Sequence, residues 1–281
     1  MSIVLEQNDY GKSRVRLLRV IRQEGRHDVR ELTLSILFEG DFDSAHTAGD
    51  NSKILPTDTM KNTVYALAKQ YPAETPEDFS LHLVDHFLTY NPQVRQVRIA
   101  CSEKPWARLA LGGKPHPWTF VSGSCERRIA SVTATREKTI VEAGVDDLVV
   151  LRTSGSGFEG FLRDPFTTLR ETRDRILSTS MNVKWRYADG QISFGPVWHG
   201  ARQALLEVFA EHASRSLQHT LYAMGEALLK SFDEILEVRL SLPNKHFLLA
   251  DLSAFGFENE NEVFIPTDEP HGLIEATLKK K

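Results

Sequence analysis

Glu31-Leu32-Thr33-Leu34-Ser35-Ile36-Leu37-Phe38 is the stretch whose rhythm decides the fold. Leu32, Leu34, Ile36 and Phe38 recur at every second position beside the polar Glu31, Thr33 and Ser35. A period of two sends successive side chains to opposite faces, so this segment reads as a strand with one wet face. Upstream, Val15 and Leu17 alternate with Arg14 and Arg16, and the polar run 24–28 around Gly25 supplies the turn between two strands. Downstream the period lengthens. From Thr57-Asp58 onward, Met60, Val64 and Leu67 fall on one side of a helix. A second helix opens at Thr75-Pro76-Glu77-Asp78, which offers a capping residue, a proline at the first helical position and early acids. Its apolar face is Phe79, Leu83 and Phe87, and strand patterns return at 94–101 and 127–135.

The second half repeats this order. Residues 140–153 read as strand, and Val183, Trp185 and Tyr187 alternate with Lys184 and Arg186. Helices follow over 199–211 and 216–232, the latter carrying Leu217, Leu221, Met224 and Leu228 along one stripe. Val238, Leu240 and Leu242 then lead into Pro243, with a further apolar stretch at 247–252. Each half is strand pair, helix pair, strand pair. The expected class is α+β, with antiparallel sheets and helices on one face. Two tandem domains are expected, 1–136 and 137–281.

Composition narrows the function by exclusion. A chain of 281 residues can bury a substantial core, and its 41% hydrophobic and 26% charged residues are ordinary for a soluble globular protein. A net charge of -4, with Lys and Arg scattered except at Lys279-Lys280-Lys281, gives no reason to expect nucleic acid or an anionic membrane as partner. No run approaches the ~18 apolar residues of a membrane helix. The first ten residues contain Glu6 and Asp9 and lack the apolar core of a signal peptide. Cys101 and Cys125 have no CxxC spacing, so neither a zinc site nor a disulfide framework is expected, and a reduced, cytoplasmic setting is.

Two motifs invite other chemistry. Gly155-Ser156-Gly157-Phe158-Glu159-Gly160 matches the glycine pattern of dinucleotide-binding loops. Pro165, however, interrupts the place where the phosphate-binding helix would run, and no βαβ pattern surrounds it. His82 and His86 have the i, i+4 spacing of a metal pair, but no third ligand of the usual kind accompanies them, and they lie beside the apolar stripe of Phe79 and Leu83. Packed or partner-facing histidines are the expectation. No GxSxG elbow is present for serine hydrolysis.

From about Tyr10 to Thr277, blocks in matching order resemble the urate oxidases. They are Tyr10-Gly11-Lys12; Asp50-Asn51-Ser52 leading to 57–65, TDTMKNTVY; and Gly113-Lys114-Pro115-His116-Pro117. The series continues with 157–164, GFEGFLRD; Thr167-Thr168-Leu169; Asp174-Arg175-Ile176-Leu177; and Ser241-Leu242-Pro243-Asn244-Lys245-His246. The resemblance implies two tunnelling-fold (T-fold) domains, each an antiparallel sheet with two helices. Dimers would close into a barrel, and two barrels would stack into a homotetramer with active sites between subunits, which removes exposed sheet edges.

It also implies a cofactor-free, metal-free enzyme that oxidises urate with molecular oxygen to 5-hydroxyisourate and hydrogen peroxide. Urate is a flat, electron-rich anion. By resemblance, the planar fork of Arg175 takes its edge, Gln218 offers a donor and an acceptor beside it, and Phe158 stacks on the ring. Thr57, Asp58 and Leu217 complete the binding set, and Asn244 holds dioxygen, then peroxide or the attacking water. Lys12, Thr57 and His246 form the proton relay. Burial disfavours a charged ammonium, so a lysine in such a site can act as a base. Urate stripped of a further proton gives an electron to dioxygen directly and takes the role of a cofactor. Asn244 and His246 are alternate residues of an extended segment, so both can face one side.

Three departures from the family stand out. Pro56 replaces a small residue before the relay threonine, Glu159 occupies a variable position, and the C-terminus lacks the SKL-type peroxisomal address, as expected of a bacterial, cytoplasmic version. One rival is a metal-dependent tunnelling-fold enzyme acting on pterins or purines, against which the scarcity of Cys argues. Another is an inactive purine-binding relative, against which the joint presence of Lys12, Thr57, Asn244 and His246 argues.

Overall fold

The computed structural model describes residues 3–71, 74–188 and 192–281. These fall into two compact units, Met1–Gly144 with Arg186–Trp198, and Val145–Trp185 with His199–Lys281. The first half contains β1 (Tyr10–Gln23), β2 (Arg26–Gly40), α1 (Asp43–Thr47), α2 (Thr57–Gln70), α3 (Pro76–Tyr90), β3 (Val94–Lys104), β4 (Ala107–Leu111), β5 (Lys114–Val121) and β6 (Arg127–Ala134). The second contains β7 (Thr139–Arg152), β8 (Leu177–Tyr187), α4 (Phe194–Glu211), α5 (Leu217–Ser231), β9 (Ile235–Leu249) and β10 (Phe264–Lys279). The class is α+β with antiparallel sheets.

In the first unit the strands run β1-β2-β3-β6, with antiparallel neighbours. The alternation that opened the sequence is realised in β2, where Leu32, Leu34, Ile36 and Phe38 are all buried. Met60, Val64 and Leu67 of α2 and Phe79, Leu83 and Phe87 of α3 pack into the same core. Full burial of each such side chain contributes about 1.5–3 kcal/mol, so the periodic face is enough to hold the helices on the sheet. Thr75 caps α3 reciprocally: its hydroxyl accepts the Asp78 amide at 3.1 Å and donates to the Asp78 carboxylate at 2.6 Å.

In the second unit the order is β7-β8-β9-β10. Leu217, Leu221, Met224 and Leu228 of α5 are buried, as are Val238, Leu240 and Leu242 of β9. The sequence splits β9 at Pro243, whereas the structure runs one strand through it, Pro243 opposite Leu273. Just beyond that pair the register of β10 shifts between Thr267 and Gly272, an irregularity beside which a residue without an N–H is tolerated. β10 carries this irregularity and its side chains are mostly exposed, so no alternation announces it.

Both halves open with the same device. Arg14 in β1 and Asp147 in β7 each sit at φ 57°, in the left-handed region. The Arg14 amide donates to the Ser35 hydroxyl at 3.3 Å, and the Asp147 amide donates to Asn182 at 3.0 Å. Each lies three residues after a glycine, Gly11 or Gly144. Gly11 is there for space. A Cβ on it would overlap the Ile36 carbonyl oxygen and come within 2.9 Å of Leu37 Cα. Gly11→Ala is therefore expected to cost about 1–3 kcal/mol, as overpacking against backbone does. A urea-unfolding midpoint equal to the parent's would overturn that expectation. Among the described residues no helix is long and apolar enough to cross a membrane.

Candidate active site

Lys12 and Thr57 are brought to one end of the first unit by Tyr10. The Tyr10 hydroxyl accepts the Leu55 amide at 2.9 Å and reaches the Leu55 carbonyl at 3.3 Å, latching the segment before α2 to the start of β1. Its ring packs edge-on against Phe38 and Phe42, at 5.9 and 4.7 Å between centroids. Lys12 follows two residues after Tyr10, and Thr57 two after Leu55. The β1–β2 register breaks directly after Lys12, and such bulges re-aim a side chain. Thr57 is the first residue of α2, behind Pro56, and no side chain caps that end. Its free amides and the helix dipole favour an anion there. Asp58 is turned to its own helix, where the hydrogen bond from Lys61 chiefly holds its carboxyl below the usual range, with Asn62 and the more distant charge of Lys12 assisting.

The second unit holds the other six candidates. Residues 153–176 form a long loop between β7 and β8. Phe158 pairs with Thr172 across it, at 2.7 and 3.1 Å, and the Gly157 amide donates to Ser214 O at 2.8 Å. The loop is thereby sewn to the segment just before α5. Arg152 anchors both: its Nε donates to Ser154 O, and its Nη1 to the carbonyls of Phe209 and His212 at the end of α4. Ser216 caps α5 by accepting the His219 amide at 3.1 Å; Leu217, next in line, is buried and Gln218 is exposed.

Within the loop, the Arg175 guanidinium lies over the Phe158 ring, 5.2 Å from its centroid, and Phe158 stacks on Phe161 at 5.0 Å. Arg175 Nε is buried and finds no hydrogen-bond partner among the described residues. Burial draws the guanidinium's pKa down from its ordinary value, because the charge has lost water without gaining an anion. A half-buried cation beside an aromatic face, with one donor unspent, is what a planar anion needs. Asn244 and His246 stand two residues apart on β9, opposite Gly272 and Thr267, at the edges of the β10 irregularity.

The two decoy motifs have other uses. No helix follows the glycine-rich match, and Gly155 and Gly160 serve left-handed turns at φ 77° and 68°. His82 is exposed and stacks on Tyr71 at 4.3 Å, and the half-buried His86 packs against Phe87 and Tyr90.

A family model described as Uricase matches residues 8–133 and 141–275. The uricase of Arthrobacter globiformis is 43% identical over 279 residues, covering 99% of this chain and 91% of that protein. The chain belongs to the uricase family. The uricase of Dictyostelium discoideum is 38% identical over 282 residues, covering 98% and 97% of the two chains. The crystal structure of the Arthrobacter globiformis uricase aligns with a TM-score of 0.95 at 43% identity, over 100% of this chain and 96% of that one. All nine candidate residues lie inside the matched ranges. Tyr10 stands in a motif block, but its latch to Leu55, like the bond of Ser214 to the loop, rests on a distant partner that no local pattern announces.

Proposed function

We propose that the chain is a urate oxidase that converts urate, molecular oxygen and water to 5-hydroxyisourate and hydrogen peroxide without a bound cofactor. The observation that carries this reading is the Arg175–Phe158 pair: a guanidinium with a buried, unspent donor over an aromatic ring. Membership of a family whose relatives are called uricases supplies the substrate.

In this reading the Arg175 fork binds the carbonyl and ring nitrogen of urate, Gln218 and the Leu217 backbone complete that edge, and Phe158 lies on the purine face. Thr57, with the first-turn amides of α2 and Asp58 beside it, meets the other edge. Lys12, relayed through the Thr57 hydroxyl and His246, removes the second proton, and the resulting electron-rich dianion reduces dioxygen held near Asn244. Water then adds to the oxidised ring. Lys12, Thr57 and Asp58 belong to the first unit and the rest to the second. The reading therefore includes two tunnelling-fold domains, 1–136 and 137–281, whose sheets close into barrels in a homotetramer with active sites between subunits. It places the enzyme in a bacterial cytoplasm.

The test is purified protein with urate and air in the presence of a strong chelator. Urate loss, followed by its ultraviolet absorbance, should be matched by oxygen uptake and peroxide. Activity abolished by the chelator would instead mark a metal-dependent relative, and untouched urate would shift the function to a pterin or purine relative or to a binding protein.

A further inference from the structure

The loop that carries Phe158 and Arg175 has no helix and only isolated bridges, yet its two ends converge on one carboxylate. Asp174 Oδ1 accepts the Gly155 amide at 2.7 Å and the Ser156 amide at 3.4 Å, while Oδ2 accepts the Ser154 hydroxyl at 2.8 Å. The Asp174 carbonyl accepts the Thr172 hydroxyl at 2.7 Å. The segment 154–156 is thereby tied to 172–174 at a single point. Phe158 follows two residues after one end, and Arg175 is the residue next to the other. Gly155, at φ 77°, turns the chain so that successive amides point inward, a concavity suited to a carboxylate. Hydrogen bonds led by that from Ser154 keep the Asp174 carboxyl below the usual range, so it stays charged at neutral pH.

Arg175 has no comparable anchor of its own. Its Nε is unpaired among the described residues, and its ring contact is to Phe158, itself a loop residue. The path of the main chain therefore decides where the guanidinium stands. We infer that Asp174 is a positioning residue: it holds the guanidinium of Arg175 and the ring of Phe158 as two arms around a planar anion. This rests on the urate-oxidising reading above. Beyond the Phe158–Thr172 pair the loop is held by exposed local contacts, among them Glu159 with Arg173, Glu171 with the Gly160 amide and Arg163, and Asp164 with Thr167; the ion pairs among them contribute little order.

The experiment uses the full chain with Asp174→Ala and Asp174→Asn. Loss of an interaction that binds substrate and transition state alike raises KM with little change in kcat, and for the alanine variant a rise of about tenfold is expected. Asparagine keeps an acceptor oxygen without the charge, and a smaller rise of about threefold is expected. Hydrogen exchange of the segment 153–174 should quicken by roughly tenfold in the alanine variant while the core strands stay protected. An alanine variant with the parent's KM, or with unaltered exchange in this segment, overturns the inference; so does a fall in kcat alone. Should the alanine variant fail to fold, the asparagine variant decides by the same two measurements. If the parent protein itself leaves urate untouched, the functional reading fails, and exchange in 153–174 judges the anchoring separately.

Discussion

Lys12→Met is expected to lower kcat for urate by about 10²–10⁴, the range that a positioned base supplies, while a purine inhibitor still binds within a few-fold of its parent affinity. Methionine matches the length and apolar stem of lysine but holds no proton, so the change removes the base with little loss of packing. The substrate-binding groups proposed for Arg175, Phe158 and Gln218 sit in the other unit and are untouched. Thr57→Ala should act in the same direction, because it deletes the relay hydroxyl and leaves the uncapped amides of α2 in place. Thr57→Ser should restore most of the loss. Steady-state kinetics with a competition-binding titration separate the two effects. Undiminished turnover in either the methionine or the alanine variant would sink the relay, and lost inhibitor binding would show that these residues only bind.

A second large effect is expected in the core of the first unit. Glu77, in the first turn of α3, is fully buried, and its carboxylate accepts Arg128 Nη2 at 2.7 Å. The guanidinium in turn lies over the Trp198 ring at 4.9 Å. Burial pushes the Glu77 carboxyl above its usual range, against the pull of the Arg128 charge. Glu77→Ala leaves an unpaired guanidinium in a dry site, a change that costs about 3–5 kcal/mol. For a chain of this size that means a fall in Tm on the order of 10 °C. Glu77→Met with Arg128→Leu removes both charges together, and stability close to the parent's is expected. Thermal and urea unfolding of the two variants check this. A single variant that loses under about 1 kcal/mol would show that the pair is solvated in solution.

The fold class was legible because the signals behind it are local. The alternation at 31–38, the stripe of Leu217, Leu221, Met224 and Leu228, and the Thr75-Pro76 start of α3 are each complete within a few residues. Burial of a periodic face then follows from the hydrophobic effect alone. The candidate site residues were nominated by the family resemblance, all but Leu217 and Gln218 from within its motif blocks; periodicity does not nominate Lys12 or Asn244.

The strand pairs, the helix pairs and the Thr75 cap of α3 are readable from the chain alone, since spacing and capping chemistry act within a turn or two of chain. The rest depends on partners far apart in the chain. The β4–β5 hairpin is clamped by Arg108, which donates to His116 O and Pro117 O nearby but also to His27 O, 81 residues away. Strand β10 takes its extended form from pairing with β9, and its own pattern shows little. Glu77 reads as a surface acid at a helix start until Arg128, 51 residues on, makes it half of a buried pair. The glycine-rich stretch at 155–160 acquires its meaning from Asp174, 19 residues after Gly155. Each of these depends on a partner distant in sequence, and a hydrogen bond or ion pair has no period by which its distant half can be found.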